Sequence, residues 1–216
     1  MKLLAGTTFA LALLFLAPPG YADDVRWTPD GEPAAWAVVR YKTDEVNPIA
    51  PESVEVLAAS SDAYGRYAVE SLRESRNEQL ARRAEKAEED KQPKVLKPLA
   101  KPRARTHFSV KPFTAACAKA SLSFGDAPFP AKLETYAGLH FKAEVDLAGR
   151  VTSVETLYID TPELEAAFVS YLKDHLQLTI RRAPDGTDLP GTIYGFVKAS
   201  PKGAVSHILG ATLLSE

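Results

Sequence analysis

Polar and apolar side chains alternate in two stretches that lie about one hundred residues apart. Residues 140–145 read His-Phe-Lys-Ala-Glu-Val, and residues 37–42 read Ala-Val-Val-Arg-Tyr-Lys. A two-residue period is typical of a strand that buries one face. Each stretch therefore predicts the first strand of a small unit.

The segment after each of these strands also repeats. Ser53-Val54-Glu55 recurs as Ser153-Val154-Glu155, and the register of apolar positions then continues without a gap. The matched pairs are Leu57 and Leu157, Tyr64 and Leu164, Ala68 and Phe168, Val69 and Val169, and Leu72 and Leu172. Self-similarity at a fixed spacing indicates two copies of one structural unit.

In the second copy, Asp146 to Gly149 forms a predicted turn in which Gly149 takes a positive φ. A second strand is predicted from about Val151 to Ile159. A helix follows, with Thr161 as N-cap and Pro162 in its first turn, and a last strand covers Thr192 to Lys198. The helical residues on one stripe are Leu164, Phe168, Tyr171, Leu172 and Leu176.

The first copy has the same order, with a helix from about Ser61 that continues as a charged extension to about Asp90. Lys91 to Arg105 is basic and contains prolines, which favours a semi-rigid linker. Thr106, Phe108 and Val110 then supply the third strand. The predicted fold is α+β, with two small units that each pack a helix on a three-stranded antiparallel sheet. The predicted segments are 1–22 (signal peptide), 23–112 (N-terminal unit), 113–126 (connector), 127–200 (C-terminal unit) and 201–216 (tail).

The N-terminal segment has the layout of a cleaved signal peptide. Lys2 is its single charge, an apolar run comes next, and Gly20 and Ala22 are the small residues before a cut between Ala22 and Asp23. The alternative is an uncleaved membrane anchor, but the apolar run is short and Pro18 and Pro19 interrupt it. We therefore predict export to the periplasm.

Charge and cysteine content narrow the classes of partner. The net charge of −2 gives no reason to expect nucleic acid or an anionic membrane as partner. The single cysteine, Cys117, has no partner for an intramolecular disulfide. We interpret it as a small buried residue; an intermolecular disulfide, which would make a homodimer, is the alternative.

No arrangement of residues indicates catalysis. The four histidines are scattered without metal-ligand spacing, and His140 falls on the outward phase of its strand. The chain also lacks a nucleophile elbow or a phosphate-binding glycine loop. We predict a protein that is not an enzyme, with no catalytic residues, metal site or cofactor.

One run of short motifs resembles the C-terminal domain of TonB energy transducers. It comprises Pro128-Phe129-Pro130-Ala131, Ala137-Gly138, Val145-Asp146, Gly149-Arg150-Val151 and Val154. The resemblance covers about Ala127 to Ser200, and the first copy matches the same pattern faintly. It implies a periplasmic domain that pairs an exposed strand with an extended segment of an outer-membrane receptor, which is β-augmentation.

The resemblance also implies the contact residues. The partner strand would lie along Thr192, Ile193, Tyr194, Gly195, Phe196 and Val197, beside an aromatic-proline element formed by Phe129 and Pro130. Because a strand has two faces, either Ile193 and Val197 or Tyr194 and Phe196 must fill the core.

The chain departs from the family pattern in its cleavable N-terminal segment and in the absence of a long proline-rich spacer. The leading hypothesis is therefore a periplasmic adapter that binds a protein segment by strand addition. The alternatives are a membrane-retained energy transducer for outer-membrane transport and a structural envelope component whose second unit binds only the first.

Overall fold

The computed structural model describes residues 34–89, 99, 101–112, 120–123, 127–146, 148–180 and 191–214. The predicted signal peptide, Cys117 and most of the predicted connector and linker lie outside the described residues. The predictions made for them stay predictions.

The architecture is α+β, as the sequence predicted. Its strands and helices, in chain order, are β1 (Ala34–Thr43), β2 (Glu55–Ala59), α1 (Asp62–Glu89), β3 (Arg103–Pro112), β4 (Ala120–Ser123), β5 (Ala137–Val145), β6 (Val151–Ile159), α2 (Glu165–His175), β7 (Gln177–Ile180), β8 (Gly191–Ala199) and β9 (Val205–Leu214). Single 3-10 turns at Pro51–Ser53 and Pro162–Leu164 precede β2 and α2.

The N-terminal sheet has the order β2-β1-β3 and is antiparallel throughout, so the predicted three-stranded unit is confirmed. The hydroxyl of Ser61 caps α1 by accepting a hydrogen bond from the amide of Tyr64 at 3.1 Å. The helix continues to Glu89, which confirms the charged extension. Its buried residues all lie in its first three turns: Tyr64, Gly65, Ala68 and Leu72.

The C-terminal sheet has the order β6-β5-β8-β9, so the prediction of three strands for this unit is wrong. The additional strand, β9, comes from the segment that was predicted to be a tail. The short strands β4 and β7 pair in a separate two-stranded sheet. Thr161 lies at the predicted N-cap position, with Pro162 in the first turn, but its side chain makes no capping hydrogen bond.

The turn between β5 and β6 has the predicted chemistry. Gly149 adopts a φ of 78°, a conformation that side chains rarely tolerate. The carboxylate of Asp146 accepts hydrogen bonds from the amides of Ala148 and Arg150 at 2.9 Å, and the Arg150 guanidinium pairs with it at 2.9 Å. These hydrogen bonds, that from the Arg150 amide first, lower the pKa of Asp146. The turn therefore fixes the register of the hairpin.

The two sheets pack face to face, with a helix on the outer face of each. Phe168 and Leu172 of α2 are buried against the C-terminal sheet, and Ala68 and Leu72 of α1 are buried against the N-terminal sheet, as predicted. A third group, the inter-sheet cluster, joins the units; it consists of Ala34, Trp36, Phe108, Val110, Leu157 and Tyr194. The result is a four-layer arrangement of helix, sheet, sheet and helix.

None of the helices in the described part of the chain combines the length and the apolar character that a membrane crossing requires.

Candidate functional site

The strand predicted to receive a partner, Thr192 to Val197, is internal. It lies within β8, which pairs with β5 on one side and with β9 on the other, both antiparallel. The prediction that this strand forms a free margin of the sheet is therefore wrong. The backbone positions that a partner segment would use are occupied by Val205–Leu214 of the same chain.

Both faces of β8 are covered by other parts of the protein. Neither the side chains of Ile193 and Val197 nor those of Tyr194 and Phe196 are therefore free to contact a partner. Ile193 and Val197 are fully buried in the core under α2. Tyr194 belongs to the inter-sheet cluster, and Phe196 stacks on His140 with ring centroids 4.4 Å apart. One face of the strand fills the core, as predicted, and the second face packs against the other unit.

The remaining two residues of β8 in the predicted site, Thr192 and Gly195, are also buried. Thr192 is buried, and its hydroxyl donates to the Glu144 carboxylate at 3.0 Å. Gly195 lies opposite Phe141 of β5 and next to an irregularity in the ladder with β9. Neither residue presents a surface to a partner.

The aromatic-proline element lies beside the turn that joins β8 to β9. Phe129 is a core residue, with its ring 4.4 Å from that of Phe168, and its amide donates to the carbonyl of Gly203 at 2.9 Å. Pro130, in contrast, is exposed. The pair is close to β8 as predicted, but Phe129 stabilises the core and anchors the turn.

Four strands form the margins of the two larger sheets: β2, β3, β6 and β9. The ladders of β2 and β9 each contain one irregularity, and that of β6 contains two. The ladder between β3 and β1 is continuous over ten residue pairs, from Ala34 and Pro112 to Thr43 and Arg103. Bulges and short length protect a sheet edge from further pairing. Of these four edge strands, β3 combines a length of ten residues with an uninterrupted ladder.

One hydrogen bond shows which residues of β3 direct their backbone groups away from β1. The carbonyl of Trp36 accepts from the amide of Ser60 at 2.9 Å, so the backbone groups of Trp36 point towards β2. Residues that face each other across an antiparallel ladder alternate between bonded and non-bonded pairs. Trp36 faces Val110, and the backbone groups of Val110 therefore point away from β1. Because the register is continuous, the backbone groups of Phe108, Thr106 and Ala104 also point away from β1.

Side chains on β3 divide between the two faces. Phe108 and Val110 enter the inter-sheet cluster, whereas the hydroxyl of Ser109 lies 3.1 Å from that of Tyr64 on the helix side. Thr106 is exposed. Core packing and the proximity of β9 in the other sheet thus hold β3 in place, and no strand of the described residues is hydrogen-bonded to its outer edge.

The histidines do not come together. His140 is buried between the sheets, although its strand phase predicted an outward position, and burial lowers its pKa to about 4. Burial also lowers the pKa of His107, which lies on the helix-facing side of β3. Within the described ranges, no three His, Cys, Asp or Glu side chains group closely enough to hold a metal ion.

The sequence predicted β3 as a strand, whereas it placed the partner contact on β8, which is internal. The family pattern ends at about Ser200, so it contains no signal for β9. The signal for β3 was the alternation of Thr106, Phe108 and Val110. Comparison of the chain with protein-family models, curated proteins and solved structures found no match.

Proposed function

We propose that this protein is a periplasmic adapter that captures an extended segment of a partner protein, such as an outer-membrane receptor, by adding it as a strand beside β3. The observation that supports the proposal is the uninterrupted ten-residue ladder of β3 at the margin of its sheet. The TonB-like order of strand, strand, helix and strand is a second support, because that family binds its receptors by strand addition.

The contact would use backbone groups first. Thr106, Phe108 and Val110 direct their amides and carbonyls outward, and hydrogen bonds to them provide affinity without a particular sequence. Specificity would come from side chains on alternate positions of the added strand. Arg103 and Arg105 are exposed on β3, and the strand contains no acidic residue, which favours a segment that carries carboxylates.

Peptides selected from a random displayed library on the immobilised protein provide a direct test. Binding should slow hydrogen exchange at the amides of Thr106 and Phe108, because these donors become paired. Thr106→Pro removes one outward donor and leaves the ladder with β1 intact, so it should weaken peptide binding about tenfold or more in a folded protein.

Two matched variants control for side effects of the proline. Thr106→Ala retains the amide and should bind as the wild type does. His107→Pro removes an amide that faces β1, and it should lower the free energy of unfolding. If folded Thr106→Pro binds the selected peptides unchanged, strand addition at β3 is wrong.

Export is part of the proposal and has its own test. The intact mass of the protein recovered from the periplasmic fraction should correspond to a chain that begins at Asp23. A full-length product that sediments with membranes would support the membrane-retained transducer.

The inter-sheet cluster favours one further candidate, a structural role in which the units bind only each other. Arg40 of the first unit donates from Nη2 to the hydroxyl of Tyr158 of the second at 3.0 Å, beside the buried Leu157 and Tyr194. Under this candidate, peptide selection would yield no binder that depends on Thr106.

A further inference from the structure

A cleft of about 410 Å³ opens between α1 and the end of the N-terminal sheet. Tyr41, Ile49 and His107 line it from the sheet side, α1 contributes Arg76 and Arg83, and Arg105 of β3 completes the wall. This volume lies within the range of sites that bind small molecules. The cleft shares Arg105 with β3 but does not include the outward backbone groups of that strand, so a ligand in it would not occupy the positions of an added strand.

The arginines of α1 continue the stripe that packs on the sheet. Leu72 is the last buried residue of the helix, and Arg76 and Arg83 come four and eleven residues after it, close to whole numbers of helical turns. Side chains at such spacings lie on one face. The sequence therefore directs guanidinium groups towards the sheet at the point where its apolar core ends.

These guanidinium groups contact neutral acceptors. Arg83 donates from Nη1 to the carbonyl of Glu45 at 3.2 Å, and Arg76 donates from Nη2 to the carbonyl of Asp44. Across the described residues, neither forms an ion pair with a carboxylate, and the buried Nε of Arg76 has no hydrogen-bond partner. The positive charge of both side chains is thus held without an ion pair, which favours an added anion in the cleft.

The acidic residues at the cleft offset only part of its positive charge, although the charge of Arg76 contributes to lowering the pKa of Asp44. The carboxylate of Asp44 is directed into its own loop, where it accepts from the amides of Val46 at 2.9 Å and Asn47 at 2.7 Å. These bonds, that from the Asn47 amide first, lower the pKa of Asp44 and use its oxygen atoms. Glu45 is exposed at the rim. Three guanidinium groups thus outnumber two carboxylates, one of which is already bonded.

We infer that this cleft binds a small polyanion, a compound that carries at least two phosphate or carboxylate groups. Arg76 and Arg83 on the helix and Arg105 on the strand approach it from opposite walls, so two separate anionic groups match the arrangement. Guanidinium groups form paired hydrogen bonds with both kinds of oxyanion. The carbonyls of the β1–β2 loop orient the arginines before a ligand arrives.

Titration calorimetry on the purified protein with pyrophosphate and with citrate tests the inference, with acetate as the single-group reference. We expect saturable binding at one site for at least one of the two polyanions, and much weaker binding of acetate. The polyanion that binds more tightly identifies the ligand class. Absence of saturable binding for both polyanions would overturn the inference.

A neighbouring arginine provides the matched control. Arg83→Gln and Arg76→Gln should each weaken binding about tenfold or more. Arg82→Gln changes the charge equally, but Arg82 is exposed, pairs with Glu78 at 3.6 Å and does not line the cleft, so binding should be unchanged. Equal weakening by Arg82→Gln and Arg83→Gln would show general surface attraction and overturn the site. Arg83→Gln lies on α1, away from β3, and should bind the selected peptides as the wild type does, which separates this test from that of strand addition.

Discussion

The imidazole ring of His140 stacks on the phenyl ring of Phe196, with centroids 4.4 Å apart and planes inclined by 29°. Phe108 of the other sheet approaches the same imidazole edge-on at 5.0 Å. His140 is only 4% exposed, and its Nδ1 has no hydrogen-bond partner within the described structure. A titratable group thus lies between aromatic rings of both units, where its charged form is disfavoured.

The stability of the fold should depend on the protonation of His140. Its folded pKa, about 4, lies below the unfolded value of 6.5, so the unfolded state binds more protons between these two pH values. Stability is complete above pH 6.5 and is lost as the pH falls towards 4. Urea unfolding at pH 7 and pH 4.5 should show that the wild type loses about 2 kcal/mol more than His140→Phe.

His140→Phe removes the titrating imidazole and keeps an aromatic ring in the cluster. Protonation of the carboxylates should therefore lower the stability of both proteins equally, and the difference between them reports on His140. An equal loss of stability in wild type and His140→Phe would contradict the burial of a neutral imidazole between the sheets.

Gly138 should not accept a side chain. A Cβ at this position would lie 2.6 Å from Cε2 and 2.9 Å from Cζ of Phe196, whose ring is already held against His140. Gly138→Ala should therefore lower the free energy of unfolding by about 1–3 kcal/mol, as overpacking in a core does. Denaturant titration measures this change.

Gly65 offers the contrasting substitution. A Cβ there meets the Cγ1 of Val56 at 3.2 Å, but Val56 is 42% exposed and has room to move. Since alanine favours a helix over glycine by about 1 kcal/mol, Gly65→Ala should be neutral or stabilising. If both alanine variants lost the same stability, the aromatic contact would not be the cause.

Phe168 should be among the most costly positions to truncate. It is fully buried, and its ring lies 4.4 Å from that of Phe129 at the centre of the C-terminal core. Phe168→Ala should lower the free energy of unfolding by about 3–5 kcal/mol. Tyr136→Ala is the control, since Tyr136 is 63% exposed and its loss should cost less than about 1 kcal/mol. A small effect of Phe168→Ala would contradict the assignment of Phe168 to the buried face of α2.

The sequence predicted those parts of the fold that depend on local chemistry. Two-residue alternation indicated β1 and β5, the Asp146 to Gly149 turn indicated the hairpin, and helical spacing indicated the buried face of α2. Each signal is contained within about ten neighbouring residues, so one chain suffices to detect it.

The incorrect predictions concern which element packs on a face of a sheet or pairs with its edge. His140 alternates with buried residues and was placed outward, yet its face meets the other sheet. Alternation tells which side chains share a face, but it does not tell which element packs on that face. The edge of β8 was predicted to be free because the resemblance ended at Ser200, before the strand that pairs with it. Tertiary packing of one unit on another has no signature in the local pattern.

The pairing of β9 with β8 yields the last prediction. β9 occupies the positions that were predicted to receive a partner along Thr192 to Val197, so its removal should make β8 the margin of its sheet. A chain that ends at Ala204 retains the turn in which Gly203 accepts from the Phe129 amide, and the core under α2 stays closed by β5, β6 and β8. Exposed edges pair with one another, so the truncated protein should form dimers or larger species by light scattering. A synthetic peptide of residues 205–214 should restore the monomer, and a chain that lacks only the last two residues should behave as the wild type. A folded, monomeric truncated protein that ignores the peptide would show that β8 does not accept a strand in trans.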